Sequence, residues 1–352
     1  MTPLGQLLAG RIAATGPMSL ADYMAECLMH PAHGYYATRD PFGAKGDFVT
    51  APEISQMFGE LLGLALAQSW LDQRSPAPFT LAELGPGRGT LIADALRATR
   101  GVPGFHDALR LHLVDTSPRL RAVQARTIAM PAVWHDSAET LPAAPLFLIA
   151  NEFFDALPIR QFERRVAGWH ERMVGLDGDR LSFGLAPCPL PDPRFATDPP
   201  GTVVETCPAA PAIMSAIAAR MVNHGGAAIV IDYGGWRSKG DTLQALRAHA
   251  PEHPLANPGQ ADLTAHVDFE ALALAAALPR SGLTPQGKLL QRLGIDQRAA
   301  RLAAGMTGAA LENHRAAHHR LTAPAEMGSL FRTLAFHAPG APLPPGFDAP
   351  ET

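Results

Sequence analysis

The chain has 352 residues, 47% of them hydrophobic, enough for one large core or for a core with an appended module. Its formal net charge of −4 provides no global basic field, which argues against nucleic acid as a partner. Cys27, Cys188 and Cys207 fit neither a zinc spacing nor a disulfide framework, and no apolar run approaches the length of a membrane span.

The opening MTPLGQLLAGRIAATG lacks the layout of a secretory signal and reads as a short amphipathic helix, so a cytoplasmic protein is expected. Residues 1–75 are mainly helical and would form a cap. Within them, GAKGDFVTAPEISQMFG (43–59) starts turn-rich, and Thr50-Ala51-Pro52-Glu53 resembles the start of a helix ending near Trp70. On the residues alone this segment reads equally as a connector or as a flap over a ligand. From residue 79, strand-like runs alternate with helical patterns, the signature of an α/β protein with a mostly parallel sheet. The expected order is a strand at 79–83, a helix over Leu91–Thr99, a strand at Leu109–Asp115, a helix from Pro118, and a strand at Ala132–His135. The apolar strands Leu146–Ala150 and Ala227–Tyr233 follow. Residues 160–186 look like an antiparallel meander with turns at Ala167-Gly168 and Asp177-Gly178, inserted before a Pro-rich loop (187–200) and a helix around Ala209–Asn223. Two Ala-rich helices near 268–278 and 296–320 and a last strand, Phe331–His337, complete the chain.

The most informative stretch is ELGPGRGTL at 83–91, directly behind the run FTLA. Gly85, Gly87 and Gly89 allow unusual dihedrals and close approach of a ligand to bare backbone, and a helix start offers free N–H groups. The dinucleotide fingerprint would need Gly or Ala where Thr90 stands. What remains is the pattern typical of class I S-adenosylmethionine (SAM) methyltransferases. Asp115, ending the second strand with Thr116 beside it, can accept both ribose hydroxyls; an N-cap cluster is the plain alternative. Asp136 in WHDS could meet the adenine amino group, and Glu83 the amino-acid end of the ligand. After the fourth strand, Asn151, Glu152 and Asp155 crowd polar groups where α/β ligands sit. Two carboxylates suit a cationic nucleophile such as a guanidinium, which they can orient and deprotonate. Asp155 and Asn151 could instead satisfy backbone groups in a turn.

These pieces combine in a chain that resembles the MidA family. The matching segments are HGYYATRDPFGAKGDFVTAPEISQMFGEL (33–61), ELGPGRGTL, LVDTSPRLRAVQ (113–124), NEFFDALPIRQF (151–162), VIDYGG (230–235), GDTLQALRAH (240–249), PGQADLTAHVDF (258–269) and MGSLFRTLAFH (327–337). The resemblance implies a class I, Rossmann-like methyltransferase fold with an N-terminal helical cap and a β-meander insertion. The boundaries would be a cap at 1–75, a SAM-binding half at 76–159, the insertion at 160–207 and the rest of the domain at 208–340. It implies SAM as cofactor, with Gly46, Asp47, Phe48 and Thr50 matching the loop of the family's N-terminal motif. Asp115 stands where Glu is common in the family, with shorter reach. The family's eukaryotic member is a protein arginine methyltransferase acting on a complex I core subunit, so a protein substrate of that kind, or its bacterial counterpart, is implied. The rival readings are a small-molecule methyltransferase and a SAM-binding assembly chaperone without turnover. A homodimer is left open. Asp262 and His266 lie in a matching segment and are candidate substrate contacts, whereas Asp268 suits an N-cap. His314 and His318 have metal-ligand spacing, but the helix around them is polar all round and reads as a solvated face, so no metal site is expected. There is no nucleophile elbow and no P-loop.

Overall fold

A computed structural model describes residues 1–38 and 50–351 and divides into two compact units. One gathers residues 50–153, Ala212–Gly234 and Phe269 onward; the other gathers residues up to 38, Phe154–Pro211 and Gly235–Asp268. Among the described residues no helix is long and apolar enough to cross a membrane.

The first unit is built on a sheet with strands β1 (Phe79–Leu84), β2 (Leu109–Val114), β3 (Ala132–His135), β4 (Leu146–Asn151), β5 (Gly226–Gly235), β6 (Thr284–Pro285) and β7 (Phe331–His337). Their spatial order is β6-β7-β5-β4-β1-β2-β3. The pairs from β5 across to β3 are parallel, β7 is antiparallel to β5, and the short β6 lies antiparallel at its outer side. Every residue of β1 and β4 is buried, as expected of central parallel strands covered on both faces. The order reverses between β1 and β4, so the carboxyl ends of these two strands flank a topological switch point, where α/β proteins bind ligands.

Helix Gln56–Asp72 packs in this unit, burying Met57, Phe58, Leu62, Leu66 and Trp70 in the sheet's core. The helices read from sequence as one cap are therefore divided, because Pro3–Thr15 and Leu20–Met29 belong to the other unit. The expected helix from Thr50 is also interrupted. A short turn, Ala51–Ile54, ends at Ser55 in an extended conformation, and the Ser55 hydroxyl caps the long helix by accepting from the Met57 amide. Gly59 and Gly63 face helix Thr90–Thr99 so closely that a Cβ on Gly63 would lie 2.6 Å from the Ala95 Cα. The single helix expected over 296–320 is two, Ile295–Ala303 and Gly308–Thr322. They fold back on each other: His314 Nε2 meets the Ala299 carbonyl at 3.0 Å and His318 Nε2 the Asp296 carboxylate at 2.8 Å. The histidine spacing thus serves a helical hairpin rather than a solvated face.

The second unit carries an antiparallel sheet in which Val203–Thr206, Arg160–Arg165, Gly168–Asp177 and Arg180–Cys188 pair in succession, with Met18–Ser19 also on Gly168–Asp177. The expected meander is present, but each turn sits one residue from its expected place. Arg165 pairs with Gly168 and Asp177 with Arg180, leaving Val166-Ala167 and Gly178-Asp179 as two-residue loops. Gly178 has φ 58 at the first loop position, the place a type II′ hairpin reserves for glycine. A second small sheet, Gln244–Arg247, Ala250–Glu252 and Asp262–Thr264, has no counterpart in the sequence expectations. All three cysteines are free.

Candidate active site

β1 delivers Glu83 and then turns through three left-handed glycines, with φ 60 at Gly85, 53 at Gly87 and 83 at Gly89. Gly89 occupies the N-cap position of helix Thr90–Thr99 and bonds back to the Pro86 carbonyl at 2.7 Å. A side chain at Gly85 would strike Phe153, and one at Gly89 would press on Ile128. The loop is thus shaped by alternating glycines, with the helix N-terminus aimed at whatever it cradles. Glu83 is buried beneath it. Burial first, and then the nearby Asp115 carboxylate, push its pKa up to about 8 against the pull of the Ile92 amide. Its Oε2 is buried without a hydrogen-bond partner among the described residues.

Asp115 follows β2. Its Oδ1 accepts the Ser117 amide at 2.8 Å and its Oδ2 the Gln124 side-chain amide at 2.7 Å. Burial raises its pKa, opposed by these two bonds and by Arg121. Each carboxylate oxygen has a second lone pair available to a hydroxyl. Ser117 also caps helix Pro118–Thr127, so the capping half of the sequence reading is observed, while Asp115 itself lies outside the cap. Thr116 is exposed, and Asp136, 83% exposed, is ion-paired to Arg121. Arg121 Nε in turn donates to the Asp115 carbonyl at 2.6 Å, which ties the two acids together through one guanidinium.

At the end of β4 the backbone of Glu152 is left-handed, with φ 49, and its amide donates to the Ile231 carbonyl at 2.9 Å. A non-glycine residue there costs about 1–3 kcal/mol, strain of the kind that clusters at active sites. The twist aims the carboxylate so that its Oε1 accepts from Asn151 Nδ2 at 3.1 Å and from the Ala51 amide at 3.4 Å. Asn151 Oδ1 is buried without a partner among the described residues. Thr50 immediately precedes Ala51, and Glu53 in the same turn accepts the Thr90 hydroxyl at 2.6 Å. The structure therefore brings the Thr50–Glu53 turn, the glycine loop, Asn151 and Glu152 together. Gly46, Asp47 and Phe48 lie outside the described residues.

The remaining expected residues belong to the other unit. Asp155 is buried, and its carbonyl accepts the Ala265 amide at 3.0 Å. Asp262 is buried on its strand and accepts the Tyr36 hydroxyl at 2.9 Å. Burial, then Asp262 and Asp155, raise the Tyr36 pKa, which places the phenol in the field of both acids. The His266 amide donates to Thr242 Oγ1 at 2.8 Å, and burial lowers the pKa of its ring. Thr242 is itself held by buried Glu205, which also accepts Gln161 at 2.7 Å. Tyr36 was missed in the quoted HGYY segment, because a tyrosine there carries no local sign of the carboxylate it meets. Gln124 was missed too, because one amide in the polar helix PRLRAVQ carries no local sign of what it touches.

The geometry leaves room for an adenosyl cofactor: a glycine loop at a switch point, a buried carboxylate at the end of the neighbouring strand, and Glu83 Oε2 and Asn151 Oδ1 buried without partners among the described residues. Sequence comparison decides the class. A family model described as "putative S-adenosyl-L-methionine-dependent methyltransferase" matches residues 61–287. The chain belongs to that family. Among its relatives are proteins named protein arginine methyltransferase NDUFAF7, mitochondrial. The mouse protein is 39% identical over 329 residues, covering 85% of this chain and 76% of its own, and the human one is 38% identical over the same length. A crystal structure from Burkholderia thailandensis bound to S-adenosyl-homocysteine superposes with a TM-score of 0.81 at 29% identity, covering 99% of this chain and 93% of its own. The protein is a SAM-dependent methyltransferase with the class I-like α/β fold expected from its sequence.

Proposed function

We propose that this methyltransferase methylates a guanidinium nitrogen of an arginine in a protein partner, a complex I core subunit or its bacterial counterpart. The observation that carries the reading is Glu152: a carboxylate held on a strained backbone, at the carboxyl end of a central parallel strand, beside the glycine loop. The relatives' name, protein arginine methyltransferase, supports the substrate class. Gly85, Gly87, Gly89 and Asp115 would hold the adenosyl moiety. Glu83 and Asn151 would meet its amino-acid end, and the turn at Thr50 would flank it. Asp136 stays in this reading as the adenine contact, with Arg121 setting its position. SAM supplies an electrophilic methyl on a sulfonium that carries its own leaving group, so the protein's work is placement. Glu152 orients the guanidinium fork and takes up the proton released on methylation. Asp155 shares that role in our reading on chain position alone, three residues on, and Asp262 and His266 are assigned to the partner's side.

The test is methylarginine detection by mass spectrometry after incubation with SAM and purified complex I core subunits, alongside calorimetry with S-adenosylhomocysteine. Glu152→Gln is expected to lower turnover by about 10²–10⁴-fold, the usual worth of a positioned proton acceptor, with product affinity unchanged. Full turnover in that variant would remove Glu152 from the chemistry. Methylation of small molecules only, with no modified arginine, would overturn the substrate class.

A further inference from the structure

We infer that Gln124 is a positioning residue for the cofactor, fixing the ribose acceptor and the glycine loop with one side-chain amide. Its Nε2 donates to the Gly87 carbonyl at 2.9 Å and to Asp115 Oδ2 at 2.7 Å, while its Oε1 accepts the Trp134 indole N–H at 2.7 Å. The side chain is fully buried. Chemistry settles which way the amide points: an indole nitrogen only donates, so it must face the amide oxygen, and the NH₂ is left for the two acceptors. Trp134 thus sets the orientation, and both amide protons are committed. One goes to the middle of the glycine loop and one to the carboxylate that the ribose would meet.

Two consequences follow. Asp115 is pinned by Ser117 on one oxygen and Gln124 on the other, which leaves the outward lone pairs fixed in direction. The donated proton also helps keep the carboxylate ionised against its burial, and only the ionised form accepts from two hydroxyls. Gln124 itself needs no contact with the ligand. It acts through Asp115 and Gly87, so its loss should appear in hydroxyl recognition and not only in overall affinity.

The inference rests on Asp115 being the ribose acceptor, and the experiment separates the two. Binding of S-adenosylhomocysteine and of an analogue lacking the ribose 2′-hydroxyl would be measured by calorimetry on the wild type, Gln124→Met and Trp134→Phe, with thermal melts to establish folding. The wild type should prefer the natural product by about 10-fold, the scale of one hydrogen bond to a charged acceptor. Gln124→Met should weaken S-adenosylhomocysteine by about 10- to 50-fold and reduce that preference to about 2-fold. Trp134→Phe, which keeps both donors but frees the amide to turn, should fall between. A folded Gln124→Met protein with wild-type affinity and preference overturns the inference and leaves the site intact. Should that variant not fold, wild-type preference in Trp134→Phe overturns it. No preference in the wild type removes the ribose role of Asp115, and the inference with it.

Discussion

Glu83 shows how a single buried carboxyl can link ligand binding to protons. With its pKa raised to about 8 from an ordinary 4.5, it is protonated at neutral pH in the free protein. The folded state therefore binds a proton that the unfolded chain has lost. The associated stability is fully present below pH 4.5 and is lost as pH rises through about 8. A ligand ammonium placed against Glu83 would favour the ionised form and expel that proton. Binding of S-adenosylhomocysteine at pH 7 should accordingly release protons, seen as a dependence of the calorimetric heat on the buffer's ionisation enthalpy. Glu83→Gln should abolish the release and weaken binding by about 10- to 100-fold, as expected for a lost hydrogen bond to a charged group. It should also raise the melting temperature by a margin that widens from about pH 4.5 to about pH 8 and is level above that. Identical heats in phosphate and Tris for the wild type would place the ligand ammonium elsewhere.

The pairing of helices Gln56–Asp72 and Thr90–Thr99 controls the site from outside. The second of these begins at the glycine loop, and its seat depends on the absence of side chains at Gly59 and Gly63. Gly63→Val, pushed into the Ala95 backbone, should cost about 1–3 kcal/mol through overpacking and weaken cofactor binding by displacing the helix start, as read by denaturant unfolding and calorimetry. Unchanged stability would show that the crossing has slack. The sheet itself was legible in the sequence because buried parallel strands are continuous apolar runs, and β1, β2, β4 and β5 fall where such runs stand. The turn geometry at Gly85, Gly87 and Gly89, and the positions of Glu83 and Asp115 at the ends of two strands, were legible because each is local to one strand and the turn after it. What escaped is what depends on distant partners or unusual turns. The hairpin at 247–250 turns on Ala248 and His249 at φ 51 and 60, a type I′-like pair without the Asn-Gly or Asp-Gly that announces one. The break before Gly308 hid inside an Ala-rich helical pattern. Gln124 reads as one more polar residue on a surface helix until Trp134 and Gly87 are seen around it.

At the level of the whole chain, neither unit is a continuous segment. The sheet unit is completed by β5, which enters between β4 and β7 from far along the sequence. Residues Gly226–Asp232 of β5 are all buried, so its absence would bare the β4 edge and a broad apolar face. A protein truncated after Pro211 retains the glycine loop, Asp115, Asn151 and Glu152, yet it should lose cooperative thermal unfolding and bind no S-adenosylhomocysteine. Differential scanning calorimetry would check this. A truncated form that melts cooperatively and binds would mean that β1–β4 and their helices are self-sufficient.

The Gln124–Trp134 bond has an optical consequence. Indole emission is sensitive to what its N–H touches, and here it touches an amide whose other end grips the glycine loop. If S-adenosylhomocysteine seats in that loop as proposed, a shift of the Gly87 carbonyl should reach Trp134 through this amide and change its emission. Titrating S-adenosylhomocysteine into a protein with Trp70, Trp169 and Trp236 changed to Phe would read this signal from Trp134 alone, and unchanged emission on binding would show that the loop and the indole are not coupled.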